Sequence, residues 1–142
     1  MGLLLAFLGI VGVYSVYMPS RAILPTTTIT VGGIRLEVEL ATTDADRQQG
    51  LSSRTSLSIG KGMLFVFDGE GKWGIWMKDM RFSIDIIWAD INGTIVTIEH
   101  DVSPASYPNS FYPSAPAEYV LEVPAGYAKK HDIGVGTKIV VQ

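Results

Sequence analysis

Cysteine is absent from this 142-residue chain, and histidine occurs only twice, at His100 and His131. Without cysteine the chain has no disulfide, no thiolate nucleophile and no cysteine-ligated metal. Two histidines so distant in sequence do not form the closely spaced ligand set of a structural zinc site. Glu99 and Asp101 alternate onto one side of a strand, which gives a thin ligand set for a cation. We therefore expect neither a metal site nor a cofactor.

Clusters of basic residues are also lacking. The chain has 11 Lys and Arg against 14 Asp and Glu, a formal net charge of −3, and its cations are scattered. Nucleic-acid binding requires a basic patch that neutralises several phosphates, and so no nucleic-acid partner is expected. Glycine-rich phosphate loops and a Gly-x-Ser-x-Gly nucleophile elbow are missing as well. No Ser-His-Asp hydrolase is predicted.

Charged side chains are missing from the first 20 residues, since the first one is Arg21. A membrane-spanning helix needs about 20 apolar residues and a signal-peptide core about 7–15. Residues 1–20 are therefore predicted to form an N-terminal hydrophobic helix, a signal anchor or transmembrane segment, followed by a linker at 21–27 and a β-rich domain at 28–142. No small-x-small cleavage motif follows the apolar run, which favours a retained anchor. The protein is then expected to be membrane-anchored and extracytoplasmic, or secreted if the segment is cleaved.

Short runs with strand-like alternation dominate the rest of the chain. Residues 34–40 alternate apolar and charged side chains, which is typical of a strand with one wet face. Further strand-like runs lie at 28–31, 62–67, 76–80, 82–89, 95–99, 119–123 and 138–141. The pairs Gly32-Gly33 and Asn92-Gly93 favour tight hairpin turns.

Two short helices are predicted between these strands. Thr43 can cap a helix over residues 44–48, and Gly50 is placed to end it. Residues 124–130 fit a second helix with proline in its first turn. Many short strands with one or two short helices predict a mainly β fold, a compact β-sandwich or barrel-like domain.

Three consecutive segments resemble a known family. They are Gly62-Met63-Leu64-Phe65-Val66-Phe67, Trp76-Met77-Lys78-Asp79-Met80 and Ile84-Asp85-Ile86-Ile87-Trp88. A glycine-led aromatic strand, a Trp-Met-Lys-Asn strand and a following aspartate resemble the prokaryotic domain-of-unknown-function 192 family, with Asp79 in place of the usual Asn. The resemblance covers residues 34–141 and implies a compact β-rich fold. It also implies a site role for Arg54, because an arginine commonly lies in this connection of the family. The family has no established activity, and so the resemblance implies no reaction or ligand.

Ionisable side chains among apolar strands are the main candidates for a site, because burying them is costly unless they are paired or used. Strand alternation puts Lys78 on one face with Trp76 and sets Asp85 opposite the apolar face of its own strand. Glu122 has similar surroundings on a later strand. We therefore expect Lys78, Asp85 and Glu122 to converge beside Trp76, which forms an apolar wall for a small polar ligand.

Two alternatives for these three residues stay open. Lys78, Asp85 and Glu122 can form a purely structural network that fixes strand register. Alternatively, Asp85 and Glu122 can serve as the acid and base of a hydrolase, as paired carboxylates do in glycoside hydrolysis. Carboxylate-to-amide substitutions should be tolerated by a binding module and should abolish acid–base catalysis.

A proline-punctuated loop at residues 103–113 carries three aromatic side chains. It is predicted to cover the Lys78 end of the fold, to stack on a sugar, or simply to cover a sheet edge. The predicted function is a membrane-tethered binding module for a small polar or saccharide ligand or for an envelope partner. The candidate ligand-binding residues are Trp76, Lys78, Asp79, Asp85, Glu122, Arg54, Tyr107 and Tyr112.

Overall fold

The structure, a computed structural model, describes residues 23–142. Seven strands of this part of the chain form one sheet in the order β6-β5-β8-β3-β2-β1-β9, and β4 and β7 form a separate two-stranded ribbon. The elements are β1 (Thr26–Val31), β2 (Ile34–Ala41), α1 (Asp44–Gln49), β3 (Lys61–Gly71), β4 (Ile75–Trp76), β5 (Ile84–Ala89), β6 (Ile95–Val102), β7 (Ser110–Phe111), β8 (Ala117–Pro124), α2 (Tyr127–Lys130) and β9 (Ile139–Val141). A 3-10 turn at Pro104–Ser106 precedes β7.

The two hairpin signals and the cap signal at Thr43 are confirmed, whereas the second helix begins at Tyr127, because Pro124 is the last residue of β8 and not part of a first helical turn. β1 and β2 pair antiparallel across Gly32-Gly33, and β5 and β6 pair antiparallel across the Asn92-Gly93 turn. At the start of α1, the Thr43 side chain accepts a hydrogen bond from the Asp46 N–H, and the Asp46 carboxylate accepts one from the Thr43 N–H. This capping box satisfies two backbone donors and so favours a helix of only six residues.

α1 lies in the crossover between β2 and β3, which pair in parallel. Parallel strands require a long connection, and residues 42–60 provide it. At the end of this crossover helix, the Arg47 guanidinium donates to the Val66 carbonyl of β3 at 2.6 Å and lies 5.0 Å from the centre of the Phe67 ring. These contacts hold α1 beside β3, where it forms one wall of the site described below.

The prediction of a strand through residues 76–80 is wrong. β4 ends at Trp76, and Lys78 and Asp79 lie in a turn where Asp79 has a φ of 55°. A left-handed φ interrupts the two-residue alternation on which the prediction depends. Lys78 therefore does not extend from a strand towards the sheet.

Both faces of the sheet are covered by apolar clusters. The α2 cluster packs one face against α2 and the segment that follows it; its larger members include Ile29, Leu36, Leu64, Ile87, Leu121, Tyr127, Ile133 and Ile139. The ribbon cluster packs the other face beneath the β4–β7 ribbon; its larger members include Leu51, Met63, Phe65, Ile75, Met77, Ile86 and Trp88. Because β5 is buried along its full length, a charged side chain on either face of it enters one of these clusters.

The sheet curls so that its two edge strands, β6 and β9, approach each other at one end. The Ile95 N–H donates to the Thr137 carbonyl at 2.9 Å, and the Ile139 N–H donates to the Gly93 carbonyl at 2.8 Å. An isolated bridge pairs Thr94 with Lys138. The result is a half-barrel whose edges are joined beside the Asn92-Gly93 turn.

Gly93→Ala is expected to destabilise the fold by about 2 kcal/mol. Gly93 has a φ of 74°, and an added Cβ would overlap the carbonyl oxygen of Ile139, the residue whose N–H bonds to the Gly93 carbonyl across the sheet edges. Gly33→Ala is the matched control: its φ is 84° and no neighbour lies within 4 Å, so it adds only the conformational cost of about 1 kcal/mol. Urea unfolding measures the free energy of unfolding of both variants. Equal losses of stability in the two variants would contradict a close contact at Gly93.

The prediction of a mainly β fold with one or two short helices is confirmed. Of the two predicted arrangements, the barrel-like one describes the curled single sheet. β1 begins at Thr26, inside the predicted linker, because β-branched threonines favour strands. The hydrophobic helix predicted for residues 1–20 lies outside the described residues. Within residues 23–142, no helix has the length and apolarity needed to cross a bilayer.

Candidate functional site

Glu122 lies on the ribbon-cluster face of the sheet, beside Met63 of β3 and Ile86 of β5. Only 5% of its surface is exposed. Burial and the positive charge of Arg54 are the influences on the pKa of its carboxyl, and no hydrogen bond is among them. Since buried polar groups are normally hydrogen-bonded, this carboxyl is a candidate for contact with a ligand.

A cleft of about 260 Å³ opens above Glu122, between α1 and the β4–β7 ribbon. We call it the Glu122 cleft. Its apolar lining consists of Leu51, Phe65, Phe67, Ile75, Trp76 and Met80. Its polar lining consists of Asp44, Arg47, Gln48, Gln49 and Ser52, together with Glu122 itself. Apolar walls with a few polar groups are typical of sites for small molecules.

Burial is the main influence on the pKa of the Glu122 carboxyl. Desolvation raises the pKa of its carboxyl from the ordinary value of 4.5 to about 8, and the positive charge of Arg54 offsets part of this increase. Desolvation penalises the charged form of a carboxyl, and an unpaired carboxylate in such a site would be costly. At neutral pH the group is therefore mainly a protonated acid, which can donate one hydrogen bond and accept others.

Arg54 lies near Glu122 but is bound to another carboxylate. Its guanidinium donates from Nη1 and Nη2 to the two oxygens of Glu39 at 2.5 and 2.7 Å. Glu39 and Glu122 are on opposite sides of Met63 in the same row of the sheet. The Arg54 Nε is buried and has no hydrogen-bond partner among the described residues. Arg54, predicted as a site residue, therefore lies close enough to Glu122 to influence its pKa. Its two bonds to Glu39 attach the loop after α1 to β2.

Asp85 is fully buried on the opposite face of the sheet, in the α2 cluster. Its carboxylate accepts three backbone hydrogen bonds: from the Asp101 N–H at 2.9 Å, the Gly126 N–H at 3.0 Å and the Ala128 N–H at 2.9 Å. Asp101 has a φ of 50° where the β5–β6 register shifts, and this irregularity turns its N–H towards Asp85. Asp85 thus connects the irregular part of β6 at Asp101 with the start of α2.

The predicted convergence of Lys78, Asp85 and Glu122 is wrong. Asp85 and Glu122 occupy adjacent rows of neighbouring strands, so their side chains point to opposite faces of the sheet. Lys78 is exposed on the turn after β4, where its Nζ lies 5.6 Å from the centre of the Trp76 ring. The three residues therefore form neither a shared pocket nor a structural network, and the two carboxylates cannot act on one bond as acid and base.

Asp79 supports the site through its backbone. The Ser53 N–H donates to the Asp79 carbonyl at 2.8 Å, and the Ser52 hydroxyl donates to the Lys78 carbonyl at 2.9 Å. These bonds join the turn after β4 to the loop after α1, across one end of the Glu122 cleft. The Asp79 side chain itself is exposed.

Three exposed aromatic side chains lie near the mouth of the cleft. The Trp76 and Tyr107 rings are 5.7 Å apart with a tilt of 55°. Tyr112 packs against Gly74, just before β4, so closely that a side chain at Gly74 would overlap its ring. The predicted loop at residues 103–113 therefore lies along the β4–β7 ribbon and supplies two of these rings.

Glu122 and Trp76, both predicted as ligand-binding residues, line this cleft, whereas the wall that α1 contributes was not predicted. Arg47, Gln48 and Gln49 line the cleft, yet the sequence shows only a short polar helix. The lack of a large apolar side chain in residues 44–49 was a signal that this helix presents polar groups, but it did not indicate which part of the fold they face. Among residues 23–142 no group of acidic or histidine side chains is arranged to hold a metal ion.

One family model matches almost all of the described chain. It is DUF192, described as "Uncharacterized ACR", and it matches residues 27–141. No curated protein matches the chain.

Two solved structures share the fold. A protein of Sinorhizobium meliloti 1021, described as a "putative transcription regulator", is 28% identical with a TM-score of 0.81; the match covers 86% of this chain and 98% of the other. A protein of unknown function from Novosphingobium aromaticivorans DSM 12444 is 25% identical with a TM-score of 0.76, over 90% of this chain and 98% of that one. The half-barrel is therefore found in these proteins too.

Proposed function

Because the chain belongs to the uncharacterised DUF192 family, we propose its function from the geometry of the cleft: the domain binds a small, uncharged polar ligand over Glu122. The observation that carries this proposal is the Glu122 carboxyl, 5% exposed at the floor of an open cleft. No hydrogen bond is among the influences on the pKa of this carboxyl. A ligand oxygen that accepts its proton would supply the missing partner.

The charges around the cleft favour an uncharged ligand. The Arg47 guanidinium already donates to the Thr42 and Val66 carbonyls and to the Asp44 carboxylate, at 2.6–2.7 Å. Arg54 is bound to Glu39 by two hydrogen bonds. Glu122 is mainly neutral below pH 8, and Gln48 and Gln49 add amide groups without charge. An anion inside the cleft would thus have to compete for two guanidinium groups, those of Arg47 and Arg54, that are already bound.

Other roles have less support. An acid–base hydrolase would need Asp85 and Glu122 on one side of the sheet, and they face opposite sides. The description of the Sinorhizobium protein concerns that protein, and the scattered cations of this chain, with its net charge of −3, do not favour nucleic acid. An envelope partner, membrane attachment through residues 1–20 and an extracytoplasmic location stay predictions.

Binding of a neutral compound is expected to depend on the proton of Glu122. The full chain, 15N-labelled, is titrated by NMR with neutral monosaccharides and polyols and with their carboxylate and amine analogues. Neutral compounds should shift the amide signals of Gly50, Phe65 and Trp76, and the affinity should fall as pH rises through about 8, where Glu122 loses its proton. Preferential binding of the charged analogues, or shifts only outside the cleft, would contradict the proposal.

Two substitutions separate the role of the proton from that of the side-chain volume. Glu122→Gln keeps a hydrogen-bond donor and should bind with little dependence on pH, whereas Glu122→Met removes the donor and should abolish binding. Glu118→Gln, on the same strand but outside the cleft lining, is the control for a carboxylate-to-amide change. If Glu122→Met bound the ligand with unchanged affinity, the carboxyl would not be in contact with the ligand.

A further inference from the structure

Three exposed aromatic side chains lie along the β4–β7 ribbon beside the Glu122 cleft. Trp76, Tyr107 and Tyr112 are 48%, 46% and 58% exposed, respectively. Trp76 pairs with Ser110 across the β4–β7 ribbon, and Tyr107 and Tyr112 lie on either side of β7. We call these three residues the aromatic ridge. Rings with this exposure leave part of their surface available to a ligand.

The aromatic ridge continues directly from the cleft. Trp76 is part of the cleft lining and, at 5.7 Å, also contacts Tyr107, which is not part of that lining. A ligand seated over Glu122 therefore has the ridge beside it. The Lys78 ammonium, 5.6 Å from the centre of the Trp76 ring, adds a hydrogen-bond donor at the same border.

The chemistry of the ridge differs from that of an exposed aliphatic surface elsewhere on the domain. Aliphatic Ile91, Val140 and Val141 lie together at the other side of the fold, around the sheet edges. The ridge instead combines three aromatic rings with two phenol hydroxyls and one ammonium. Aromatic faces stack on the C–H faces of sugar rings, while hydroxyl, amide and ammonium groups bind sugar hydroxyls. This combination fits a saccharide better than an apolar protein surface.

From this arrangement we infer that the ligand is a neutral saccharide of at least two sugar rings. This inference rests on the proposed function of the Glu122 cleft. One ring occupies the cleft, whose volume of about 260 Å³ is below the range of drug-sized pockets and suits a ligand of one ring. The next ring lies across the aromatic ridge, against Trp76 and Tyr107.

The test compares oligosaccharides with the monosaccharides from which they are built. The full chain is applied to an array of neutral plant and bacterial oligosaccharides, and the best-bound one and its monosaccharide are measured by calorimetry. The oligosaccharide should bind more tightly than its monosaccharide. Tyr107→Ala should weaken the oligosaccharide on the order of tenfold and leave the monosaccharide unchanged, because Tyr107 lies outside the cleft. Tyr107→Phe should retain binding, and Val140→Ala, at the distant aliphatic surface, is the control.

Three results would contradict the inference or the proposed function, and each can be told from the others. If a monosaccharide binds in the cleft but Tyr107→Ala does not weaken any oligosaccharide, the ridge is no part of the site and this inference is overturned while the proposed function stands. If no saccharide binds and other neutral compounds still shift the cleft signals, the ligand class is wrong. If Glu122→Met leaves saccharide binding intact, the proposed function of the cleft fails.

Discussion

Glu122→Gln is expected to make the domain progressively more stable than the natural protein as pH rises from 4.5 to 8. In the folded state Glu122 keeps its proton to about pH 8, whereas the unfolded chain releases it near the ordinary value of 4.5. Folding then takes up a proton, and so the free energy of unfolding of the natural protein falls through this interval. At 1.36 kcal/mol per pKa unit, the loss reaches roughly 5 kcal/mol by pH 8. The amide carries no such penalty because it does not ionise.

The measurement is urea unfolding of both proteins at several pH values between 4 and 9. The difference between their unfolding free energies removes the contribution of other titrating groups. Glu118→Gln, which changes a partly exposed carboxylate of the same strand, gives the effect of the same chemical change without the burial. A difference between Glu122→Gln and the natural protein that does not change with pH would mean that the carboxyl reaches solvent or a partner in the folded protein.

Asp85→Ala is expected to cost about 4 kcal/mol of stability, enough to unfold a marginally stable domain. The substitution leaves three buried or partly buried backbone N–H groups, those of Asp101, Gly126 and Ala128, without an acceptor. Each unsatisfied group costs about 1–3 kcal/mol. Asp85→Asn should lose less, since the amide oxygen can still accept from part of this set.

Asp90→Ala is the matched control for that prediction. The Asp90 carboxylate also accepts backbone hydrogen bonds, from the Asn92 N–H at 2.9 Å and the Thr94 N–H at 2.8 Å. It lies in the Asn92-Gly93 turn, where water can replace it, and so a loss of about 1 kcal/mol is expected. Thermal unfolding by circular dichroism measures all three variants. If Asp85→Ala lost no more stability than Asp90→Ala, the buried carboxylate would not be the structural anchor of α2.

The sequence predicted those features that depend on neighbouring residues. Gly32-Gly33 and Asn92-Gly93 mark hairpins through local backbone preference, and Thr43 marks the start of α1 through its side chain. The alternation of β5 likewise separated Asp85 from Ile86 correctly. Signals of this kind require no knowledge of which strands pair.

The position of Asp85 relative to Glu122 was not predictable in the same way. Each residue's alternation was visible, but whether the two side chains share a face depends on the register of β5 against β8, set by packing between distant segments. Lys78 was misplaced for a local reason, because the left-handed Asp79 ends the alternation and aspartate does not reveal this by itself.

The cleft was predictable only in part. Trp76 and Glu122 were expected to share a site, and both line the Glu122 cleft. The opposite wall depends on α1, whose position follows from the parallel pairing of β2 with β3. Parallel pairing leaves no hairpin signal in the sequence, and so Gln48 and Gln49 were not identified.

The pairing of β1 with β9 has a consequence for how the domain folds. Thr27 and Gln142 are hydrogen-bonded although 115 positions separate them, and β1 also pairs with β2 directly after it in the chain. Loop closure over such a distance is entropically costly, and folds rich in nonlocal pairing acquire their native structure slowly. During synthesis β1 and β2 emerge before β9, and so β1 keeps one unpaired edge until β9 is available. An unpaired strand edge can pair with another chain, and chaperone dependence is therefore best sought in that interval.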